Sequence, residues 1–221
     1  MLSSPPMKRR LTLLLATALL IGAGGAILHW PAATWLQARA SWLPTTQRVD
    51  AVYVLSGQHD RERLDGLIAW LAAGGQTDRI FLAIDSSKNR WSSRSQRNLS
   101  TGEWTLEALV AALKEIQRDI TVEVITTSML GTDLEVAALA RILRARPDVE
   151  TIALATSRFH IRRTRRRATR HMEHTPGMIP SVAIPYDRSP WVVGVELGKM
   201  LRDAVGLNRV PFLGRRWWRR Q

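Results

Sequence analysis

The chain contains no cysteine among its 221 residues. This absence excludes a disulfide framework, a zinc–thiolate site, an iron–sulfur cluster and a cysteine nucleophile. The sequence also lacks a P-loop, a GxGxxG fingerprint and a GxSxG elbow. His171 and His174 flank Glu173, but no carboxylate pair with metal-ligand spacing joins them. We therefore expect no metal and no cofactor.

Lysine and acidic residues are scarce. Lys and Arg together number 32 against 19 Asp and Glu, for a net charge of +13, and the only lysines are Lys8, Lys88, Lys114 and Lys199. Arginine thus supplies most of the charge, which favours anionic partners such as phosphorylated ligands, lipid headgroups or nucleic acid. Arginine richness can also follow genome composition. The 45% apolar fraction is typical of a globular protein.

An apolar segment lies near the N-terminus, where residues 11–28 carry no charge. Its length, about 18 residues, is near the lower limit for a helix that spans a bilayer. We predict a transmembrane signal anchor over residues 11–30, after an N-terminal segment (1–10) and before a juxtamembrane linker (31–48). Cationic residues 8–10 precede the span, so the positive-inside rule places the N-terminus in the cytoplasm and the following domain outside.

A cleaved signal peptide is the alternative, because small residues at 22–26 follow the apolar region. We favour an uncleaved anchor, since apolar and aromatic residues continue beyond them. Trp30 and Trp35 are suited to the membrane interface. Either interpretation exports the domain.

The remaining chain alternates apolar strand-like runs with segments of helical periodicity. We predict strands at 49–55, 79–84, 121–125, 150–155 and 181–184, and helices at 60–73, 103–117, 132–144, 160–171 and 191–205. This alternation is typical of a mainly parallel sheet covered on both faces. The prediction is a Rossmann-like, three-layer α/β domain over residues 49–205. Residues 86–100 are polar and predict a mobile loop, and residues 206–221 form a basic Arg/Trp tail.

Small polar residues follow four of the predicted strands. Ligands of open parallel sheets bind beyond the carboxyl ends of the strands. Each of these ends also precedes a helix whose N-terminal amides can hold an anion. The four strand ends are Ser56-Gly57-Gln58, Asp85-Ser86-Ser87, Thr126-Thr127-Ser128 and Thr156-Ser157-Arg158-Phe159-His160. Asp85 is a candidate ligand-binding residue on this ground.

The fourth strand end carries the sharpest cluster. His160 and Arg163 are three residues apart and share a helix face. A histidine beside an arginine at a cleft can act as general acid or as phosphate ligand. In the simpler alternative, Ser157 is only a helix N-cap and His160 a surface residue.

Three further positions have both a structural and a functional interpretation. Gly57 permits a close backbone approach, or merely the turn. Arg63 can reach back to a phosphate from the first turn of its helix, or belong to a solvated face. Thr132 and Glu135 match a capping box, or serve the cleft.

Seven arginines lie between Arg158 and Arg170. They cover several faces of the predicted helix, so we expect most of them to be solvated or bound to anions. Nucleic acid is an unsuitable partner for an exported domain. Membrane phosphates or an anionic envelope substrate fit better. The tail at 215–220 is either an interfacial element or a disordered terminus.

Four segments, in order, resemble the membrane-anchored SanA-like and ElyC-like proteins, which share the YdcF-like domain (domain of unknown function 218). They are Asp50-Ala51-Val52-Tyr53-Val54-Leu55-Ser56-Gly57, Arg63-Leu64 with its apolar helix and Gly74, Gly131-Thr132-Asp133-Leu134-Glu135, and Thr156-Ser157-Arg158-Phe159-His160-Ile161-Arg162-Arg163. The resemblance covers roughly residues 49–205 and implies these candidate pocket residues: Gly57, Arg63, Thr132, Glu135, Ser157, His160 and Arg163. The family often has further glycines after its first strand, whereas here Gln58 follows Gly57.

The resemblance implies a single-pass protein of the bacterial inner membrane, with its domain in the periplasm and a role in peptidoglycan or lipid-carrier metabolism. The expected ligand is an anionic small molecule or a lipid-linked phosphate. One hypothesis is an enzyme, with His160 as general acid or base and Arg63 and Arg163 holding phosphate charge. The alternatives are a non-catalytic anion-sensing module, favoured by the missing glycines, and a structural membrane adaptor.

Overall fold

A computed structural model describes residues 28–57, 60–84, 88–126 and 131–205. The chain forms two compact units, Leu36–Ile184 and a second made of Met1–Trp35 with Pro185–Gln221. Among the described residues, no helix is both long and apolar enough to cross a bilayer. The predicted anchor at 11–30 lies almost entirely outside the described residues, as do Asp85 and the basic tail.

The unit Leu36–Ile184 is built on a five-stranded sheet and also contains a separate two-stranded hairpin. In chain order the strands are β1 (Ala51–Val54), β2 (Arg79–Ile84), β3 (Lys88–Ser92), β4 (Arg97–Ser100), β5 (Thr121–Thr126), β6 (Ile152–Thr156) and β7 (Gly177–Pro180), of which β3 and β4 form the hairpin. The helices are α1 (residues 28–37), α2 (Asp60–Ala72), α3 (Thr101–Glu115), α4 (Thr132–Arg144), α5 (Ile161–His171) and α6 (Pro190–Ala204). The sheet has the order β5-β2-β1-β6-β7, and all its pairings are parallel. The predicted α/β class with a parallel sheet is confirmed.

Helices cover both faces of this sheet. Alternate residues of β1 point to opposite sides, and all four are buried. Val52 and Val54 belong to an apolar cluster with α2 and α3, whereas Ala51 and Tyr53 belong to a second cluster with α4 and α5. β1 is therefore apolar along its whole length, as a strand buried on both faces requires.

Helix α2 approaches the end of β7 very closely at Gly66. A Cβ atom on Gly66 would lie 2.3 Å from the Pro180 carbonyl oxygen and 2.7 Å from the Ser181 Cα. The Val182 amide also donates a hydrogen bond to the Glu62 carbonyl, at 3.1 Å. Only glycine allows this backbone contact between helix and strand.

Residues 88–100 form a hairpin rather than the mobile loop that their polarity predicts. Strands β3 and β4 pair in antiparallel fashion, and Gln96 has a positive φ of 52° in the turn. The Ser92 hydroxyl donates to a Glu107 carboxylate oxygen at 2.6 Å and accepts from the Ser95 amide at 3.1 Å. Serine side chains and one glutamate therefore hold the hairpin. Because these contacts are polar, the hairpin lacks the alternation of apolar and polar residues by which a strand is predicted from sequence.

The last strand of the sheet also differs from its predicted position at Ser181–Ile184. The observed strand is β7, which pairs with β6 through Met178 and Ile179, both almost completely buried. After Pro180 the chain leaves the sheet, and the Val182 amide bonds to α2 instead. The predicted strand, which contains the β-branched Val182 and Ile184, therefore begins four residues after the observed one.

The Gly66 contact generates a matched pair of substitutions. We expect Gly66→Ala to lower the free energy of unfolding by about 3 kcal/mol or more, since the new methyl group meets rigid backbone. Gly194→Ala, in α6, places its Cβ where no atom lies within 4 Å, so we expect stabilisation of roughly 0.5–1 kcal/mol. Urea unfolding of the purified protein measures both. Equal effects of the two substitutions would contradict the close approach of α2 to β7.

Candidate functional site

The strand order places a crevice between β1 and β6. Within the sheet, β2 and β5 lie on one side of β1, and β6 and β7 lie on its other side. Connections that leave β1 and β6 therefore diverge, which is the topological switch point where ligands of open α/β sheets bind. Residues 55–57 follow β1 and residues 157–160 follow β6 at this crevice.

Arg63 ties the two strand ends together beneath the crevice. Its Nη1 donates hydrogen bonds to the carbonyl oxygens of Leu55 and Ser56, both at 2.6 Å. Its Nε donates to the Ser157 hydroxyl at 3.1 Å, and Asp60 lies 3.6 Å from Nη1. Arg63 is only 3% exposed, so it does not belong to a solvated helix face. Its guanidinium is engaged by the protein itself.

Glu135 reaches the same turn from the opposite side of the sheet. Its Oε1 accepts hydrogen bonds from the Ser56 amide at 2.6 Å and the Tyr53 hydroxyl at 2.9 Å. The capping box predicted for Thr132 and Glu135 is wrong: the residue before α4 is Gly131, and no side chain caps the helix. A buried carboxylate gains more from two inward donors than from its own helix end, where water can replace it.

Burial shifts the pKa values of three side chains below the crevice. Burial raises the pKa of Glu135 above its ordinary value, although the Ser56 amide, the Arg63 charge and the Tyr53 hydroxyl oppose this rise. Burial, aided by the Glu135 charge, also raises the pKa of Tyr53 far above its ordinary value. Burial lowers the pKa of Arg63, while Asp60 and Glu135 oppose the decrease and the charge of Arg163 adds to it.

His160, Arg163 and Thr132 form the layer nearer the surface. Arg163 Nη2 lies 2.8 Å from His160 Nδ1 and 3.3 Å from Nε2, and its Nη1 donates to the Thr132 hydroxyl at 3.4 Å. The predicted shared face of His160 and Arg163 is confirmed by this contact. Arg163 is 7% exposed, and His160 is partly exposed at the end of a 3-10 turn, Arg158–His160.

The contact with Arg163 favours one tautomer of His160. A guanidinium can only donate, so the nearer nitrogen, Nδ1, accepts in a neutral imidazole whose hydrogen lies on Nε2. The structure does not show Ser157 capping the following helix through its side chain, because its hydroxyl accepts from Arg63 instead.

Gly57 is required by its backbone conformation. Its φ is +142°, and an added Cβ would lie 3.2 Å from Nη1 of Arg63. Glycine is the residue that adopts such a φ without steric cost. The turn after β1 therefore presents bare backbone at the crevice, as the sequence suggests.

Three arginines of the basic segment, Arg158, Arg163 and Arg167, are engaged by the protein itself. Arg158 donates to the Ser181 carbonyl at 2.8 Å and stacks on the Trp42 ring at 5.0 Å. Arg163 and Arg167 are buried, and Arg167 lies 3.9 Å from Asp133. Arg165, Arg166 and Arg170 are exposed.

The structure thus brings together six of the eight predicted site residues around one switch point, and Thr132 joins them through Arg163. Asp85 lies outside the described residues. Sequence reasoning missed Tyr53, whose hydroxyl anchors Glu135; an aromatic hydroxyl within an otherwise aliphatic strand was the available signal. Within the described ranges, no group of three or more His, Asp or Glu residues could hold a metal ion.

A small cavity adjoins the crevice at the ends of β1 and β2. It is lined by Leu55, Ser56, Asp60, Leu82, Ala83, Thr101, Gly102 and Thr105. Helix α3 begins at its rim with a complete capping box, in which Ser100 and Glu103 satisfy each other's amides. Its exposed lining is mostly apolar, so it does not extend the polar zone around the switch point.

No protein-family model matches the chain, and no curated protein or solved structure matches it either. The resemblance to YdcF-like proteins therefore depends on the four sequence segments alone. The candidate site depends on its own geometry.

Removal of Arg63 should destabilise the whole domain. We expect Arg63→Ala to lower the free energy of unfolding by about 3–5 kcal/mol, because the buried Asp60 carboxylate then loses its ion-pair partner and Glu135 loses a nearby positive charge. Arg61→Ala, at an exposed position two residues earlier, should leave the free energy almost unchanged. Urea unfolding monitored by far-ultraviolet circular dichroism measures both. Comparable stability of the two variants would show that the Arg63 contacts are not structural.

The raised pKa of Glu135 makes stability depend on pH. Below the ordinary value of 4.5, the carboxyl is protonated in both states; above it, the folded protein keeps the proton longer. Stability is then lost as pH rises towards the folded pKa, by up to about 1.4 kcal/mol per pH unit. Glu135→Gln removes this titration, so its stability relative to the native protein should increase above pH 4.5. A stability difference that is constant with pH, or that shrinks, would contradict the assigned direction.

Proposed function

We propose that the chain is a YdcF-like envelope protein that binds an anionic phosphorylated or lipid-linked metabolite at the β1–β6 crevice. The observation that carries the proposal is the contact of Arg163 with His160 and Thr132 at the switch point. Guanidinium, imidazole N–H, threonine hydroxyl and bare glycine backbone are all groups that bind phosphate oxygens. The net charge of +13 favours the approach of such a ligand.

Each layer of the crevice has a distinct role in this proposal. Arg63 and Glu135 hold the turns after β1 and β6, so they position the site instead of contacting ligand. Arg163, oriented by Thr132 and His160, supplies the charge that recognises phosphate. His160 Nε2–H adds one directed donor.

Binding is better supported than turnover. A general base needs an available nitrogen lone pair, and the lone pair of His160 at Nδ1 accepts from Arg163 in this arrangement. We therefore propose a binding or sensing module, in which His160 is a donor. A catalytic role for His160 requires the Arg163 contact to break when substrate arrives.

The cellular location follows from the N-terminal sequence and the family resemblance. An anchor at residues 11–30 with cationic residues 8–10 before it would leave the domain in the periplasm. There, lipid-linked phosphates of cell-wall synthesis are available substrates or signals. The proposed protein is thus an inner-membrane component of cell-wall biogenesis or barrier maintenance.

A thermal-shift experiment on the full chain in detergent tests ligand binding. A compound that binds only the folded state raises the unfolding temperature as its concentration exceeds its dissociation constant. We expect a polyprenyl phosphate to raise it and the corresponding alcohol to have no effect. Arg163→Gln should abolish the shift, whereas Arg170→Gln, at an exposed position of the same helix, should retain it.

Two results would contradict the proposal. A shift that survives Arg163→Gln would place the ligand elsewhere, and no shift with any phosphorylated compound would favour the structural adaptor. Release of inorganic phosphate or of a cleaved product, lost in His160→Ala, would instead identify an enzyme.

A further inference from the structure

Exposed apolar side chains are concentrated in one of the two units. Of twelve large exposed hydrophobic side chains in the described part of the chain, eight lie in residues 28–35 and 185–205. These ranges hold less than one fifth of the described residues. Soluble surfaces rarely expose contiguous apolar patches of this kind, and such patches mark interaction sites.

Half of these eight side chains follow one face of α6. Trp191 is 73% exposed, Leu201 65% and Leu197 37%, and Val205 just beyond the helix is 60% exposed. Positions three or four apart line one side of a helix, so these residues form a single stripe. Gly194 and Gly198 lie within it, and a Cβ on either would meet no atom within 4 Å.

The opposite face of α6 is buried. It carries Val192, Val193 and Glu196, and the Glu196 carboxylate accepts from Lys199 at 2.8 Å. Arg202 is exposed beside the stripe. The helix is therefore apolar towards the outside along the stripe and cationic at its margin, which is the arrangement of helices that lie in a lipid interface.

Helix α1 shows where the lipid surface would be. Its exposed Trp30 directly follows the apolar run of residues 11–28. The Arg188 guanidinium, two residues before α6, lies 4.8 Å from the centroid of the Trp30 ring. This cation–π contact places the start of α6 beside the residue at which the predicted anchor ends.

We propose that α6 lies in the lipid–water interface, with the stripe of Trp191, Leu197, Leu201 and Val205 embedded in the acyl boundary. This inference rests on the proposed membrane anchoring. Tryptophan favours the headgroup level, and Arg188 and Arg202 can contact anionic headgroups. The bilayer is the occupant that matches a long apolar stripe with tryptophan at one end and cations along its side.

Spin labelling tests this arrangement, because the chain has no natural cysteine. Single variants Leu197→Cys and Leu201→Cys carry a nitroxide on the full chain in vesicles of anionic and zwitterionic phospholipid. Leu134→Cys is the matched control, since Leu134 is 48% exposed on α4 in the other unit. Collisions with oxygen report lipid, and collisions with a water-soluble nickel chelate report water.

We expect positions 197 and 201 to be severalfold more accessible to oxygen, and severalfold less accessible to nickel, than position 134. Nickel accessibility equal to that of position 134 would overturn the proposal. Low accessibility to both reagents would also overturn it, because protein would then cover the stripe; dilution with unlabelled protein or deletion of residues 206–221 identifies a second copy or the tail.

Alkaline extraction of membranes separates this inference from the proposed anchoring. A chain that stays in the membrane pellet while position 201 is open to nickel retains its anchor and contradicts only the interfacial α6. A chain released to the supernatant contradicts the anchor itself. Because Leu201 is already exposed, its replacement should not impair folding.

Discussion

The buried Arg63 guanidinium is the interaction on which the site depends. Its three hydrogen bonds join the two residues after β1 to the first residue after β6, where the two chain directions diverge. Without a donor there, two carbonyl groups and one hydroxyl would face a buried space without a partner, which costs free energy. One side chain from α2 thus holds open the geometry that the strand order creates.

Glu135 complements this arrangement from the other helical layer. The Tyr53 hydroxyl and the Ser56 amide donate hydrogen bonds to Glu135. These bonds fix the position of α4 relative to the turn that Arg63 holds from α2. Arg63 bonds to the Ser56 carbonyl and Glu135 accepts from the Ser56 amide, so both buried charges fix the position of the same residue. Arg163, His160 and Thr132 are then the groups proposed to meet a ligand.

The sheet could be predicted well because its signals are local. β2 and α4 have the predicted bounds, and the other sheet strands except β7 begin and end within two residues of theirs. Predictions failed where side-chain contacts outweighed the pattern. The hairpin of β3 and β4 is held by serines bonded to Glu107. β7 ends at Pro180, and two residues later the Val182 amide bonds to the Glu62 carbonyl of α2 instead of to the sheet.

The amino-acid sequence by itself determined the α/β class, the parallel sheet and the strand ends where polar residues cluster, since periodicity and apolar runs reflect burial directly. It also indicated that His160 and Arg163 act together, because three residues separate neighbours on a helix. Only the tertiary structure decided that Arg63 and Glu135 both point inward to the turn after β1, and that α6 exposes an apolar stripe. Those features depend on which faces meet across distant segments, and no local pattern encodes that choice.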